Sequence, residues 1–229
     1  MRIVSHPTLW ICLAVVWLGA AAAARPLPQT QVVDGIVVRI EDDIITLSEL
    51  RELAAYQQLL DGHPQSNEEL RSELIEQWVV NNEATTSRFP LPAQAEVDRE
   101  TERVERTFPD AAAYQQRLVA AGLTQSALRR VVTRQIYLAR YLDYKFRSSI
   151  QVDDAAIEAY YRSHLVPEMQ AKSQPAPPLT DVSDQISELL IEQGVNDRTA
   201  AWFQETKPRL RIELEPMDAS STAAPGIQP

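Results

Sequence analysis

Tyr137, Tyr141 and Tyr144 recur at i, i+4, i+7 among Arg130, Arg134, Arg140 and Arg147. On a helix this spacing lines three phenol rings along one side. Aromatic faces set in guanidinium groups can hold an extended apolar peptide through burial and cation–π contact. The same rings can instead lie under a second layer of helices, since buried tyrosine is common. The sequence leaves both readings open. Trp78 and Trp202 fall at core positions of their helices, so packing is their first role and ligand anchoring their second.

Other reactive side chains are sparse. Beyond the expected leader peptide, histidine is limited to His63, in a turn, and His164, at a helix end, and neither belongs to a motif. The acidic groups Glu41-Asp42-Asp43, Glu68-Glu69 and Asp153-Asp154 stand at turns and helix starts. Carboxylates are favoured there by turn chemistry and the helix dipole, which accounts for them without general acid–base work or cation binding. H-E-x-x-H, C-x-x-C, P-loop and dinucleotide glycine patterns do not occur. The expectation is a protein with no catalytic residue, no metal and no cofactor.

The segment that carries the tyrosines, 124–148, is the longest uninterrupted helical pattern and contains neither Gly nor Pro. Leu128, Val131, Val132, Gln135, Ala139, Leu142 and Phe146 form its apolar stripe, widened by Ile136 and Leu138. Gly122 reads as the stop of the preceding helix and Thr124 as the N-cap of this one. About 25 residues at 1.5 Å each give a rod of roughly 37 Å, a spine for the remaining elements.

Around the spine, Ile36 to Thr46 reads as a β-hairpin about the acidic turn. Ser48 caps a helix over 49–60, and Asn67 caps a second in which Leu70, Leu74, Trp78, Ile75 and Val79 make two adjacent rows. A loop with Pro90 and Pro92 leads to a charged helix, 93–107, with a thin seam of Val97, Val104 and Phe108. A short helix with Tyr114, Leu118 and Val119 ends at Gly122. Beyond the spine, Asp153 or Asp154 caps 155–163, and 165–178, with four prolines and no period, reads as a linker. Thr180 caps a last helix facing Val182, Ile186, Leu189, Leu190, Gln193, Trp202 and Phe203 inward, with a kink or break expected near Gly194. Leu210, Ile212 and Leu214 then alternate with charges as a single strand. A lone strand must find a partner for its backbone, and the economical one is the hairpin.

Residues 1–24 read as a secretory signal peptide: Arg2 and His6, an apolar run from Leu9 to Leu18, then Ala20 to Ala24. Cleavage there removes Cys12, the one cysteine, and Arg2, leaving 21 basic against 32 acidic residues, a formal charge of −11. That balance argues against nucleic acid and anionic membrane surfaces as partners, and stable membrane insertion is not expected after cleavage. Without disulfides, an exported chain of about 200 residues must be held by its core. Residues 216–229 read as a disordered Ser/Ala/Pro-rich tail.

The stretches VVDGIVVRIEDDIITLSELREL, LRSELIEQWVVNNEA, FPDAAAYQQRLVAAGLTQSALRRVVTRQIYLARYL, VDDAAIEAYYRSH, PPLTDVSDQISELLIEQ and AAWFQETKPRLRIEL follow one another in an order that resembles the SurA-type periplasmic chaperones. That family usually carries a parvulin-type prolyl isomerase domain between the last two helices. Here the gap between Ser163 and Pro178 is far below the roughly 50 residues a small domain needs, so the isomerase domain is absent. The resemblance implies a mainly α fold: a multi-helix chaperone core over 32–215, its parts 32–164 and 179–215 joined by the 165–178 linker. A small antiparallel sheet of the N-terminal hairpin and the C-terminal strand completes it. It also implies a periplasmic, ATP-independent holdase whose partners are unfolded or nascent secreted polypeptides, with Tyr137, Tyr141 and Tyr144 as candidate peptide-binding residues. The alternatives are residual prolyl isomerase activity and a subunit dedicated to one envelope or secretion partner.

Overall fold

A computed structural model of the chain describes residues 34–217. The expected leader, 1–24, and the tail residues 218–229 lie outside them. The fold is mainly helical with one small antiparallel sheet. Strands β1 (Ile36–Ile40) and β2 (Asp43–Thr46) form the hairpin, and β3 (Ile212–Leu214) pairs antiparallel with the other side of β1, giving the order β2-β1-β3. Ile40 lies opposite both Asp43 and Ile212, and Val38 opposite both Ile45 and Leu214. Val37, Val38 and Ile40 are almost wholly buried, because β1 has a strand on each side and helices beneath it.

β2 runs directly into α1 (Leu47–Asp61), followed by α2 (Asn67–Thr86). Their caps are Thr46 and Ser66, not Ser48 and Asn67. Each hydroxyl accepts from the N–H of the glutamate three residues on, and Glu49 and Glu69 reach back to the cap N–H. This reciprocal box satisfies two otherwise unpaired donors, which Ser48 and Asn67 cannot do with Arg51 and Leu70 at the third position. The same hydrogen bonds from Ser66 hold the Glu69 carboxyl below its ordinary range.

α3 (Gln94–Glu105), α4 (Ala111–Ala120) and α5 (Gln125–Phe146) follow. The thin seam of α3 is closed by Thr101, buried with its hydroxyl donating to the Val97 carbonyl at 2.8 Å. Gly122, at φ 72°, ends α4 as expected, with the Leu123 N–H bonded to the Leu118 carbonyl. The stripe of α5 holds through Val132 and then turns. Tyr137, Leu138 and Tyr141 are buried while Ala139 is exposed and Gln135, Leu142 and Phe146 are only half-buried. The N-terminal half packs with α1, α3 and α4 around Leu59, Val97, Tyr114 and Leu128. The C-terminal half packs with α2 and the final helix around Val80, Ala84 and Phe203. Different neighbours claim different faces of one rod.

The proline-rich segment is more ordered than its composition implies. α6 (Asp154–Tyr160), capped by Asp153, widens into a π-helical turn over Tyr161–Leu165 and continues as α7 (Val166–Ala171). The Val166 N–H reaches back to Tyr161, and Pro167 follows directly on that wide turn, so the chain carries a proline within a continuous helical run at the point where the regular bonding pattern is already interrupted. Only 172–178 remains non-helical, pinned by the Tyr161 hydroxyl donating to the Pro177 carbonyl at 2.7 Å.

α8 (Leu179–Thr206) passes Gly194 without a break, and in its inward face Val195 is buried where Gln193 is exposed. The glycine serves packing. A Cβ there would lie 2.7 Å from Ile150 Cγ2 and within 3.2 Å of two further Ile150 carbons. In an open helix Gly→Ala gains about 1 kcal/mol. Here the nearest carbon is the branch methyl on Ile150 Cβ, which cannot swing clear, so overpacking dominates. Gly194→Ala is therefore expected to lower stability by about 1 kcal/mol in denaturant titration. In an Ile150→Ala background the same change should raise it by about as much.

Candidate functional site

The tyrosine ladder divides. Tyr137 and Tyr141 are 6% and 3% exposed, whereas Tyr144 is 69% exposed. Their cover combines α2 and α8, through Val79, Val80, Ala84 and Phe203, with the loop that follows α2. After α2, Arg88 adopts φ 55° and turns the chain so that the Phe89 N–H bonds to the Ala84 carbonyl. The Phe89 ring then lies 5.9, 5.4 and 5.3 Å from Tyr137, Tyr141 and Tyr144. Tyr137 donates its hydroxyl proton to the Phe89 carbonyl at 3.4 Å, and the Arg140 guanidinium stands 5.7 Å from the Phe89 ring centre. Two rings of the ladder thus belong to the core, and Tyr144 alone of the three is available to a ligand. Two residues beyond Phe89, Leu91 is 74% exposed.

More surface for a ligand lies on the other side of α2, around Trp78. Its indole N–H donates to Asp43 at 3.0 Å, which ties α2 to the hairpin and leaves the ring half-buried. A cleft of about 280 Å³ opens on one flank, between β2, α1, α2 and α5, lined by Ile44, Ile45, Glu49, Leu74, Gln77, Trp78, Asn81 and Arg134. A second, of about 270 Å³, opens on the other flank, lined by Trp78, Val79, Asn82, Glu83, Thr86, Trp202, Thr206 and Leu210. Trp202 stacks on Phe203 with centroids 5.2 Å apart and meets Phe146 edge-on at 5.9 Å. Lys145, paired with Glu83, sits 4.7 Å above the Trp202 ring. Both tryptophans therefore pack on the core with one side and wall a cleft with the other.

One turn before Gln77, burial pushes the Glu73 carboxyl above its ordinary range and nearby Glu76 adds to this, against hydrogen bonds from Gln77 and Gln57. Both clefts mix apolar or aromatic walls with neutral hydrogen-bonding side chains, beside Glu49 and Arg134 in the first and Glu83 in the second, a chemistry suited to backbone and apolar side chains. The acidic turn is occupied structurally: Glu41 accepts from the Arg211 N–H at 2.8 Å, and Asp42 pairs with the Arg211 guanidinium at 3.2 Å. His63 and His164 are exposed, the latter stacked on Tyr160 at 4.8 Å. Among the described residues no group of three or more His, Cys, Asp or Glu forms a site for a metal ion. None of their helices is long and apolar enough to cross a membrane.

Sequence periodicity alone misses Phe89, which sits in a proline-flanked loop, and Ile44, 47% exposed on the hairpin edge. The Phe-Pro-Leu-Pro run is the available signal for the first, since prolines on either side fix the loop path.

The division of the ladder has a measurable form. Tyr141→Ala should cost ~3–5 kcal/mol, in the range of large core truncations. Tyr144→Ala should stay within about 0.5 kcal/mol of the parent. Paired urea titrations read both. No protein-family model matches the chain, and no curated protein matches it.

Proposed function

We propose that the chain is an ATP-independent holdase of the periplasm that binds unfolded stretches of other exported polypeptides. What carries the reading is the pair of open clefts that share Trp78 as a wall, each combining apolar or aromatic side chains with hydrogen-bonding ones, Gln77 and Asn81 on one flank and Asn82, Thr86 and Thr206 on the other. Such a surface engages backbone and apolar side chains without selecting one sequence. An unfolded client loses conformational freedom on binding, so several shallow, separately weak contacts suit broad and reversible capture better than one deep pocket. Exposed Tyr144 and Leu91 offer a further foothold. The leader-like first 24 residues, the acidic charge and the ordered likeness to SurA-type chaperones agree with this assignment.

The purified protein at severalfold molar excess should suppress light scattering from a denatured outer-membrane protein diluted out of urea. Ile44→Asp puts a charge on the rim of the hairpin-side cleft without touching the core, and should weaken suppression severalfold while the melting temperature holds. Absence of suppression by the parent protein at any excess would remove the assignment. Cis/trans exchange of a Xaa-Pro peptide is expected to proceed at its slow uncatalysed rate, and acceleration would restore the isomerase alternative.

A further inference from the structure

Four arginines project from α5, and three are neutralised: Arg129 by Asp98 at 2.6 Å, Arg130 by Glu52 at 2.7 Å and Arg140 by Glu96 at 3.2 Å. Just beyond the helix, Arg147 pairs with Asp143 at 3.0 Å and with Glu188. Arg134 is different. Among the described residues no carboxylate lies within ion-pair distance of it and no hydrogen-bond acceptor takes its protons, yet it is half-buried and lines the hairpin-side cleft with Ile44, Leu74 and Trp78. The carboxylate that shares the cleft, Glu49, is turned to the helix cap, where its Oε2 accepts from the Thr46 N–H at 2.8 Å and hydroxyl at 3.1 Å. A guanidinium partly withdrawn from water, beside apolar walls and without a counter-charge, is a carboxylate receptor.

The sheet edge beside it narrows the ligand. β2 is an outer strand, and the Ile40–Asp43 pair closes the two-residue turn. In the antiparallel alternation, Asp43 and Ile45 then direct their backbone groups to β1 and Ile44 directs its own to the open edge. That edge is short. It ends in the Glu41-Asp42 turn on one side and, on the other, at Thr46, whose N–H is taken by Glu49. An extended chain can pair here over about one residue, so its hold depends on its side chains and on Arg134, and a chain end brings the carboxylate that a mid-chain peptide group lacks.

We propose that this cleft binds the C-terminal carboxylate of an unfolded chain whose last residues are apolar. Arg134 takes the carboxylate, the Ile44 main chain takes the adjoining peptide group, and Trp78, Leu74 and the Ile44 side chain take the apolar side chains. This rests on the polypeptide-holding assignment and adds to it a preference for one end of the client.

The test is fluorescence anisotropy with an N-terminally labelled hexapeptide ending in Val-Tyr-Phe, titrated with the purified protein. Three forms are compared: the free acid, the C-terminal amide, and an amide with one internal Glu. The free acid should bind on the order of tenfold more tightly than the amide, the usual weight of one charge-assisted contact. Arg134→Gln should bring it down to the amide level, Arg134→Lys should restore part of the difference, and both variants should keep the parent melting temperature. Equal binding of acid and amide, indifference to Arg134→Gln, or equal binding of the internal-Glu amide and the free acid would each overturn the proposal. Suppressed aggregation without a free-acid preference sinks this site and leaves the holdase standing. A free-acid preference with no suppression does the reverse.

Discussion

A β-strand in the middle of a sheet must satisfy its backbone on both sides, and β1 does so with partners from opposite ends of the described chain. On the β3 side, the Glu41 N–H bonds to the Arg211 carbonyl at 3.0 Å and the Glu215 N–H to the Val37 carbonyl at 3.1 Å. Side chains guard the same seam, with Arg39 on Glu215 at 2.7 Å and the Arg211 guanidinium on the Glu41 carbonyl at 2.8 Å. The exposed ion pairs add little individually. The larger effect lies beneath, where Val38 and Ile40 are wholly buried and seat the sheet on α1 and α2. From that seat follow the angle at which α2 leaves the hairpin, the hydrogen bond between Trp78 and Asp43, and the clefts on either side of the indole.

The second organising element is α5, which is shared among neighbours and not devoted to one. Its first turns are buried with α3 and α4 and its last with α2 and α8, so the inward direction rotates along its length. The arginines mark the outer boundary of this packing, each with a carboxylate from α1 or α3 except at the hairpin-side cleft. Where the pattern of neutralisation fails, the molecule opens.

Most of the architecture was legible from spacing alone, for identifiable reasons. The hairpin, the closing strand and the α4–α5 stop at Gly122 follow from β-branched runs, alternation and a left-handed glycine, all local signals with a single low-energy solution. The caps of α1 and α2 were also local, but needed the reciprocal glutamates of Thr-Leu-Ser-Glu and Ser-Asn-Glu-Glu to be weighed above the nearest hydroxyl or amide. Long-range contacts were not legible. Gly194 reads as a break until Ile150 is seen against it, and the tyrosines read as one ladder until Phe89 covers two of them. Pro167 reads as a linker residue because periodicity rules assume 3.6 residues per turn, and the wider turn at 161–165 removes that premise. For the site, the aromatic residue types were legible but their exposure was not.

The seam between β1 and β3 joins residues far apart in the chain, Arg39 and Glu215 by 176 positions. A chain that leaves a ribosome or a translocon from its N-terminus therefore exposes one bare side of β1 for nearly the whole of its synthesis, and loop closure of that length is slow compared with hairpin and helix formation. The hairpin and its neighbouring helices can assemble early, but the sheet is completed only when almost the last described residue has emerged. Until then the nascent protein carries an unsatisfied strand edge of the kind that invites association with other unfinished chains.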